Sequence, residues 1–455
     1  MNFLTDKIRP IYIRYLTAAF GSALISSIYG VVDAAMVGQY QGPTGTAALA
    51  VVSPVWNIIY SLGLLTGIGG SVLLSTLRGR SAENQKESNE YFTAAVIGTG
   101  ILSLITWAAV VFFDRQLLAL FGAEKTLMPL ARRYMLPVKF VVPSFLFTQL
   151  LSAFLRNDGN PGLATKAVLF GGVFNVFGDY YFVFLRDMGI MGAGIATAMG
   201  SVFSLLIMLT HFFREQNTLR LVRPGKLLGK LRDIGTTGFS SFFIDVAMGI
   251  LTMLFNRQIL RYLGTDALSV YGIIINISTF VQCCAYSIGQ ASQPILSVNY
   301  GAGKTQRVAE VLRYALGTAA AFGLVWTAAA ELAPNAFVRI FMTPTEEILA
   351  IAPGIIRSYG ISFLLLPFNI FSTYYFQAIM QPTTAFTVSV ARGAVISGIL
   401  IYLLPVLFGA NGIWFAMPLT ELLIAAFAAK KMRSSGHTAR PVSRILPGVG
   451  KRRRG

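Results

Sequence analysis

Two carboxylates lie where an apolar chain should not tolerate charge. Asp33 sits near the end of one long hydrophobic run and Asp179 sits within another. An ionised side chain at such a place costs several kcal/mol unless a partner, water or a proton relieves it, so each is a candidate functional residue. Asn175 precedes Asp179 by four residues, which puts both side chains on one face of a helix. Thr197 opens the next apolar run from the opposite side. At about 1.5 Å of rise per residue, Asp33, Asp179 and Thr197 reach similar depth. Two carboxylates, a carboxamide and a hydroxyl supply hard oxygen ligands and one amide donor. Such a set either shares protons, because neighbouring carboxylates raise each other's pKa, or coordinates a hard monovalent cation. The competing reading has Asp33 at the membrane interface and Asn175 and Thr197 as interhelical hydrogen-bonding residues.

Lesser candidates lie further along. Asp245 falls in the seventh apolar run and Glu421 in the twelfth, each set against plain interhelical pairing. Gln290 and Gln293-Pro294 in the eighth suit a cavity wall or a kink. Arg257, Arg261 and Arg392 are the cations a pyrophosphate-bearing lipid would need. Cys283 and Cys284 are adjacent, which excludes a disulfide framework and a cysteine zinc site, and His211 and His437 are far apart. No cofactor or metal is expected beyond H+ or Na+ as coupling ion. Gly303-Lys304-Thr305 lacks the earlier glycine of a phosphate loop, that position being Val298, and no zinc-protease or nucleophile-elbow motif occurs, so no enzyme is expected.

The elements that hold these residues are membrane helices. Hydrophobic residues make up 55% of the 455, charged residues 12%, and the mean hydropathy is +0.64. A soluble chain carries about 25% charged residues, so lipid is the main solvent here. Twelve apolar stretches are long enough to cross a bilayer: 12–38, 47–77, 91–113, 134–156, 163–185, 191–213, 235–262, 267–298, 311–333, 354–379, 384–408 and 411–431. With both ends cytoplasmic, 27 of the 37 basic residues fall on the inside, as the positive-inside rule requires. The net charge of +18 is therefore topological and no nucleic-acid partner is expected. The Lys7/Arg9/Arg14 start is not read as a cleavable signal. Segment 83–90 reads as a solvated helix, and Lys451-Arg452-Arg453-Arg454 as a tail near anionic headgroups.

The chain also resembles itself at an offset of about 220 residues. Thr46-Ala-Ala-Leu-Ala-Val51 matches Thr265-Asp-Ala-Leu-Ser-Val270, Gly67 and Gly79 match Gly289 and Gly301, and Asn160-Pro161 matches Gln381-Pro382. Six helices per repeat make parallel repeats about an axis along the membrane normal. The expected fold is thus all-α, with two six-helix bundles related by pseudo-two-fold symmetry: 1–215, a basic linker 216–234, 235–433, and a disordered basic tail 434–455.

Val32-Asp-Ala-Ala-Met-Val-Gly38 with Ala47-Ala-Leu-Ala50, Asn175-Val-Phe-Gly-Asp179 and Gly192-Ala-Gly-Ile-Ala-Thr197 together resemble the multidrug and toxic compound extrusion (MATE) family over nearly the whole chain. The resemblance implies an antiporter in a bacterial or archaeal cytoplasmic membrane. It would export amphipathic or cationic organic compounds in exchange for H+ or Na+, acting as a monomer. It also implies that Asp33, Asn175, Asp179 and Thr197 form the N-lobe cation site. Asp245 lies about one helical turn from where some members place a C-lobe coupling acid, and it stands with Gln290, Gln293 and Glu421 as candidate C-lobe coupling or cavity residues. Many members carry a proline fifteen residues before the first acid, where this chain has Ala18. The rival readings are a lipid-linked saccharide flippase, which shares the architecture, and a non-transporting membrane sensor.

Overall fold

The computed structural model describes residues 2–123, 126–341 and 344–437. Among these no strand occurs, and eleven helices plus one bent pair are long and apolar enough to cross a membrane. In chain order they are α1 (Ile8–Gly42), α2 (Thr44–Arg80), α3 (Gln85–Phe112), α4 (Met128–Lys139 and Val142–Asn157), α5 (Pro161–Leu185), α6 (Ile190–Phe213), α7 (Leu227–Tyr262), α8 (Thr265–Gly301), α9 (Thr305–Leu332), α10 (Glu346–Ala378), α11 (Pro382–Phe408) and α12 (Ala410–Ser434). All twelve expected spans are present.

Local chemistry sets the boundaries. α1 and α2 form one helical run broken at Gly42, whose φ of 65° suits glycine. Asn160 caps α5, accepting from the Leu163 N–H at 3.3 Å, and Pro161 fills a first-turn position where no N–H is needed. α4 bends by 61° between Lys139 and Val142, where Pro137 and Pro143 remove backbone donors. α10 carries a 3-10 stretch, Ile361–Leu364, at the equivalent place. Two short helices that no apolar run announced, Asp114–Leu120 and Pro334–Phe341, precede the fourth helix of each half and repeat the same offset.

Two corrections concern the polar segments. The linker is shorter than 216–234, because α7 already begins at Leu227. Its polar first turns are satisfied by the N-lobe: Lys230 pairs with Glu90 at 3.3 Å, and the Tyr91 hydroxyl donates to Asp233 at 3.0 Å. Segment 83–90 is helical but only partly solvated, with Glu83, Gln85 and Lys86 exposed. From Gln85 it belongs to α3, where Ser88 and Asn89 are buried and each accepts a hydrogen bond from Arg78. Of the expected tail, residues 434–437 continue the last helix, while 438–455, with the Lys451–Arg454 cluster, lie outside the described residues.

Helices α1–α6 form an N-lobe and α7–α12 a C-lobe, and each lobe's first helix starts in the other lobe. Ile8, Ile11, Tyr15 and Ala19 of α1 are buried with Ile288 and Ile295 of α8 and Phe371 of α10. Conversely, Ile234 of α7 is buried with Ile68 and Phe154 of the N-lobe. All these contacts lie toward the face carrying the first residues. Polar straps reinforce them: the Arg307 guanidinium donates to the Phe3 and Asp6 carbonyls at 2.8 and 2.7 Å. At the corresponding place in the other half, Thr93 and Glu90 accept from the linker N–H groups of Val222 and Gly225 at 3.0 and 3.1 Å. On the Gly42 side, by contrast, one apolar cluster is built wholly from N-lobe residues, from Val37 to Ala193.

Candidate functional site

Four helices of the N-lobe deliver the candidate cation site: α1 with Asp33, α5 with Asn175 and Asp179, α6 with Thr197, and the first half of α4 with Tyr134. α5 and α6 pack at glycine distance. A Cβ on Gly200 would fall 3.2 Å from the Asn175 Cβ, and one on Gly194 would strike the Pro137 ring at 2.9 Å. Substituting either would push α6 away from α5 or α4. α5 leaves regular α-geometry directly after Asp179, in a π-turn over Tyr180–Leu185, a distortion frequent at functional sites.

The hydrogen bonds are sparse. Asn175 Nδ2 donates to Thr197 Oγ1 at 3.2 Å. The Tyr134 hydroxyl donates to Asp33 Oδ2 at 3.3 Å and lies 3.4 Å from Thr197 Oγ1. Asp179 is within electrostatic reach of both Asp33 and Tyr134. Asp179 is fully buried, Asn175 is 3% exposed and Asp33 9%. Yet Asp33 Oδ1, Asn175 Oδ1 and both carboxyl oxygens of Asp179 have no hydrogen-bonding partner in the protein. Buried polar atoms are almost always paired, so four orphaned oxygens in one cluster mark a candidate site for a proton or cation. The donor set is all hard oxygen, which suits H+ or Na+ and not a soft metal. Among the described residues no group of three or more His, Cys, Asp or Glu is placed to hold a metal.

All four residues singled out in the sequence are therefore brought together, and Tyr134 joins them unannounced. It opened the apolar stretch 134–156 with no spacing relation to an acid. The break in α4 that aims it inward was not legible in a run of hydrophobic residues.

The C-lobe candidates scatter. Asp245 Oδ1 accepts from the Tyr286 hydroxyl at 2.7 Å, while Oδ2 has no partner. Gln290 is half-buried, next to Gly289, against which the Tyr374 ring packs. Gln293, 2% exposed, does not face open space. It exchanges amide hydrogen bonds of 3.1 and 3.2 Å with Asn157 of α4, tying the lobes together. Glu421, fully buried, is neutralised by Arg392 at 2.7 Å and accepts from Asn369 Nδ2 at 2.6 Å. It is a structural ion pair. Arg392 also borders a C-lobe cavity of about 20 Å³ with Tyr271, Gln282 and Tyr359, room for about one water. Arg257 is exposed and Arg261 lies 5.3 Å from the Tyr262 ring centre, at the far end of α7.

Known proteins agree with this architecture. The MatE family model matches residues 18–181 and 237–403, one match per lobe. The multidrug export protein MepA of Staphylococcus aureus is 24% identical over 409 residues, covering 89% of each chain. MepA of Staphylococcus saprophyticus is 24% identical over 410 residues with the same coverage. An outward-facing multidrug resistance MATE transporter of the MOP superfamily superposes with a TM-score of 0.88 at 19% identity, covering 96% of this chain and 98% of its own. A Pyrococcus furiosus MOP transporter described as having a binding pocket of reversed polarity also scores 0.88, at 20% identity over 96% and 98%. With both lobes matched, this chain belongs to the MatE family.

Proposed function

We propose that the chain is a secondary active antiporter for multidrug efflux, exporting amphipathic or cationic organic compounds in exchange for H+ or Na+. The observation that carries this reading is the set of four unpaired oxygens on Asp33, Asn175 and Asp179. The exporters to which the chain is similar support the transport class. Ion entry at Asp33 and Asp179 supplies the missing partner and draws α1 toward α5. That movement lowers affinity for the compound on the outer side, and the ion gradient drives exchange through the difference in affinity between states. The chain needs no cofactor besides the ion and works as a monomer. The excess of basic residues on the termini side supports cytoplasmic termini. The flippase reading is weakened by Arg392, whose charge Glu421 already neutralises.

The test is gradient-driven efflux of a fluorescent organic cation from proteoliposomes, comparing wild type with Asp33→Asn and Asp179→Asn. Efflux under a proton or sodium gradient, lost in both variants while they remain monodisperse, is the expected result. Two fully active variants would remove the site assignment. No efflux by wild type under either gradient would remove coupled export.

A further inference from the structure

Arg156, one residue from the amide pair that ties the lobes, is only 5% exposed. Its neighbours Tyr60, Tyr374 and Tyr15 are aromatic hydroxyls. Among the described residues no carboxylate lies within ion-pair distance of its guanidinium, and no acceptor is hydrogen-bonded to it. By contrast Arg78 pairs with Asp158 and Arg392 with Glu421. A buried guanidinium without a counter-charge is costly, and its planar fork matches a carboxylate or phosphate in bidentate fashion.

Across from it stands the opposite charge. Asp245 belongs to α7 of the C-lobe and keeps Oδ2 unpartnered. Tyr60 of the N-lobe and Tyr374 of the C-lobe each interact electrostatically with both Arg156 and Asp245. The two charges thus face one region between the lobes without meeting. Tyr60 is 41% exposed although it lies mid-helix in α2. The Tyr374 ring lies 2.5 Å from where a Cβ on Gly289 would be. The wall is therefore built around this tyrosine.

We propose that Arg156 is an anion-binding subsite between the lobes, which receives an anionic group of an amphipathic substrate while the substrate's cationic part faces Asp245. The proposal rests on the transport reading above and narrows its substrate class to molecules carrying both charges. Tyr60 and Tyr374 supply hydroxyls to the anionic group and ring faces to the apolar body between the charges.

The measurement is fluorescence anisotropy of purified full-length protein with two dyes: tetramethylrhodamine, a zwitterion with a free carboxylate, and its methyl ester, a simple cation. Wild type should bind the free acid at least about tenfold more tightly than the ester, a difference of about 1.4 kcal/mol. Arg156→Gln should abolish that preference while ester binding stays within about twofold, and Arg156→Lys should keep part of it. Equal affinity of wild type for both dyes, or an unchanged preference in folded Arg156→Gln, would overturn the subsite; so would zwitterion binding no stronger than the ester's in both Arg156 variants. Short-chain phosphatidic acid added as competitor separates the sources of the anion. Displacement in wild type but not in Arg156→Gln retains the anion subsite and assigns a lipid headgroup to it, overturning a drug carboxylate. Efflux of the ester dye by wild type, measured in parallel, keeps the transport reading standing even where the subsite fails.

Discussion

The Tyr134 hydroxyl donates a 3.3 Å hydrogen bond to Asp33 across the break between α4 and α1, and it is the only side-chain hydrogen bond to that carboxylate among the described residues. It holds one oxygen of Asp33 while leaving the other free. Tyr134→Phe removes the hydroxyl and keeps the ring. A loss of about 1 kcal/mol of stability is expected, with efflux slowed several-fold but still gradient-driven. Asp33→Asn, by contrast, should abolish it. Equal loss in the two variants, measured in the same proteoliposomes, would show that Tyr134 does more than orient Asp33.

The Glu421–Arg392 pair should behave oppositely. It is buried, doubly hydrogen-bonded and joined by Asn369. Breaking such a pair costs about 3–5 kcal/mol, because the partner is left buried and charged. Glu421→Gln should therefore lower the unfolding temperature and yield in detergent, while the folded fraction keeps its ion dependence. Replacing both residues together, Glu421→Leu with Arg392→Met, should recover most of the stability. Loss of ion coupling in a stable Glu421→Gln protein would instead return Glu421 to the coupling machinery.

These two residues also mark how far the sequence could be read. The cost of charge in lipid singled out Asp33 and Asp179, and helical spacing put Asn175 beside Asp179. The same rule flagged Glu421, and Arg392 was read as a cation for a pyrophosphate-bearing lipid, but neither reading could see that they meet, 29 positions apart on the consecutive helices α12 and α11. The twelve spans and the duplication followed from apolar length and offset. The short helices Asp114–Leu120 and Pro334–Phe341 did not, being too short to leave an apolar run. Arg156 belongs to no motif in the sequence, and its burial depends on α2, α4 and α10 converging, which no local pattern encodes. Gln293 was read as a cavity residue because a polar side chain next to proline in a span suggests one. Its partner Asn157 lies 136 residues away.

On the termini side, Asp158 ties four segments together. It accepts from Arg78 at 2.8 Å, from His211 Nε2 at 2.7 Å, and from the Thr218 N–H at 3.0 Å and hydroxyl. The Asn160 amide donates to His211 Nδ1 at 3.2 Å, which assigns the neutral ring's proton to Nε2. Burial pushes the Asp158 carboxyl up, but the hydrogen bonds from His211 and Thr218 and the Arg78 charge outweigh it and hold the group below the usual carboxylate range. A depressed folded-state pKa stabilises above the unfolded value of about 4 and is lost as pH falls through the folded value. Asp158→Asn should thus cost about 2 kcal/mol, constant between about pH 8 and 5, with the difference from wild type shrinking below about pH 4. Thermal unfolding of both proteins across that range checks it, and a difference that vanished above about pH 5 would remove Asp158 as the source.

The pseudo-two-fold axis makes its own prediction through Gly79 and Gly301, which occupy equivalent places at the ends of α2 and α8. A Cβ on Gly79 would collide with the Val298 carbonyl, and one on Gly301 with the Thr76 carbonyl. Both obstacles are backbone, so relief requires the lobes themselves to part. Gly272, also in α8, would meet nothing within 4 Å. Gly272→Ala should raise stability by up to about 1 kcal/mol through helix propensity. Gly79→Ala and Gly301→Ala should each lower it by about 1–3 kcal/mol through overpacking. The same two variants should also speed maleimide labelling of Cys283 and Cys284, which are buried, Cys283 lying 2.8 Å from Ser27 of the other lobe. Because the collisions are related by the axis, the two variants should behave alike. If one were silent while the other opened the protein, the lobes would not be closing on that face as equivalent halves.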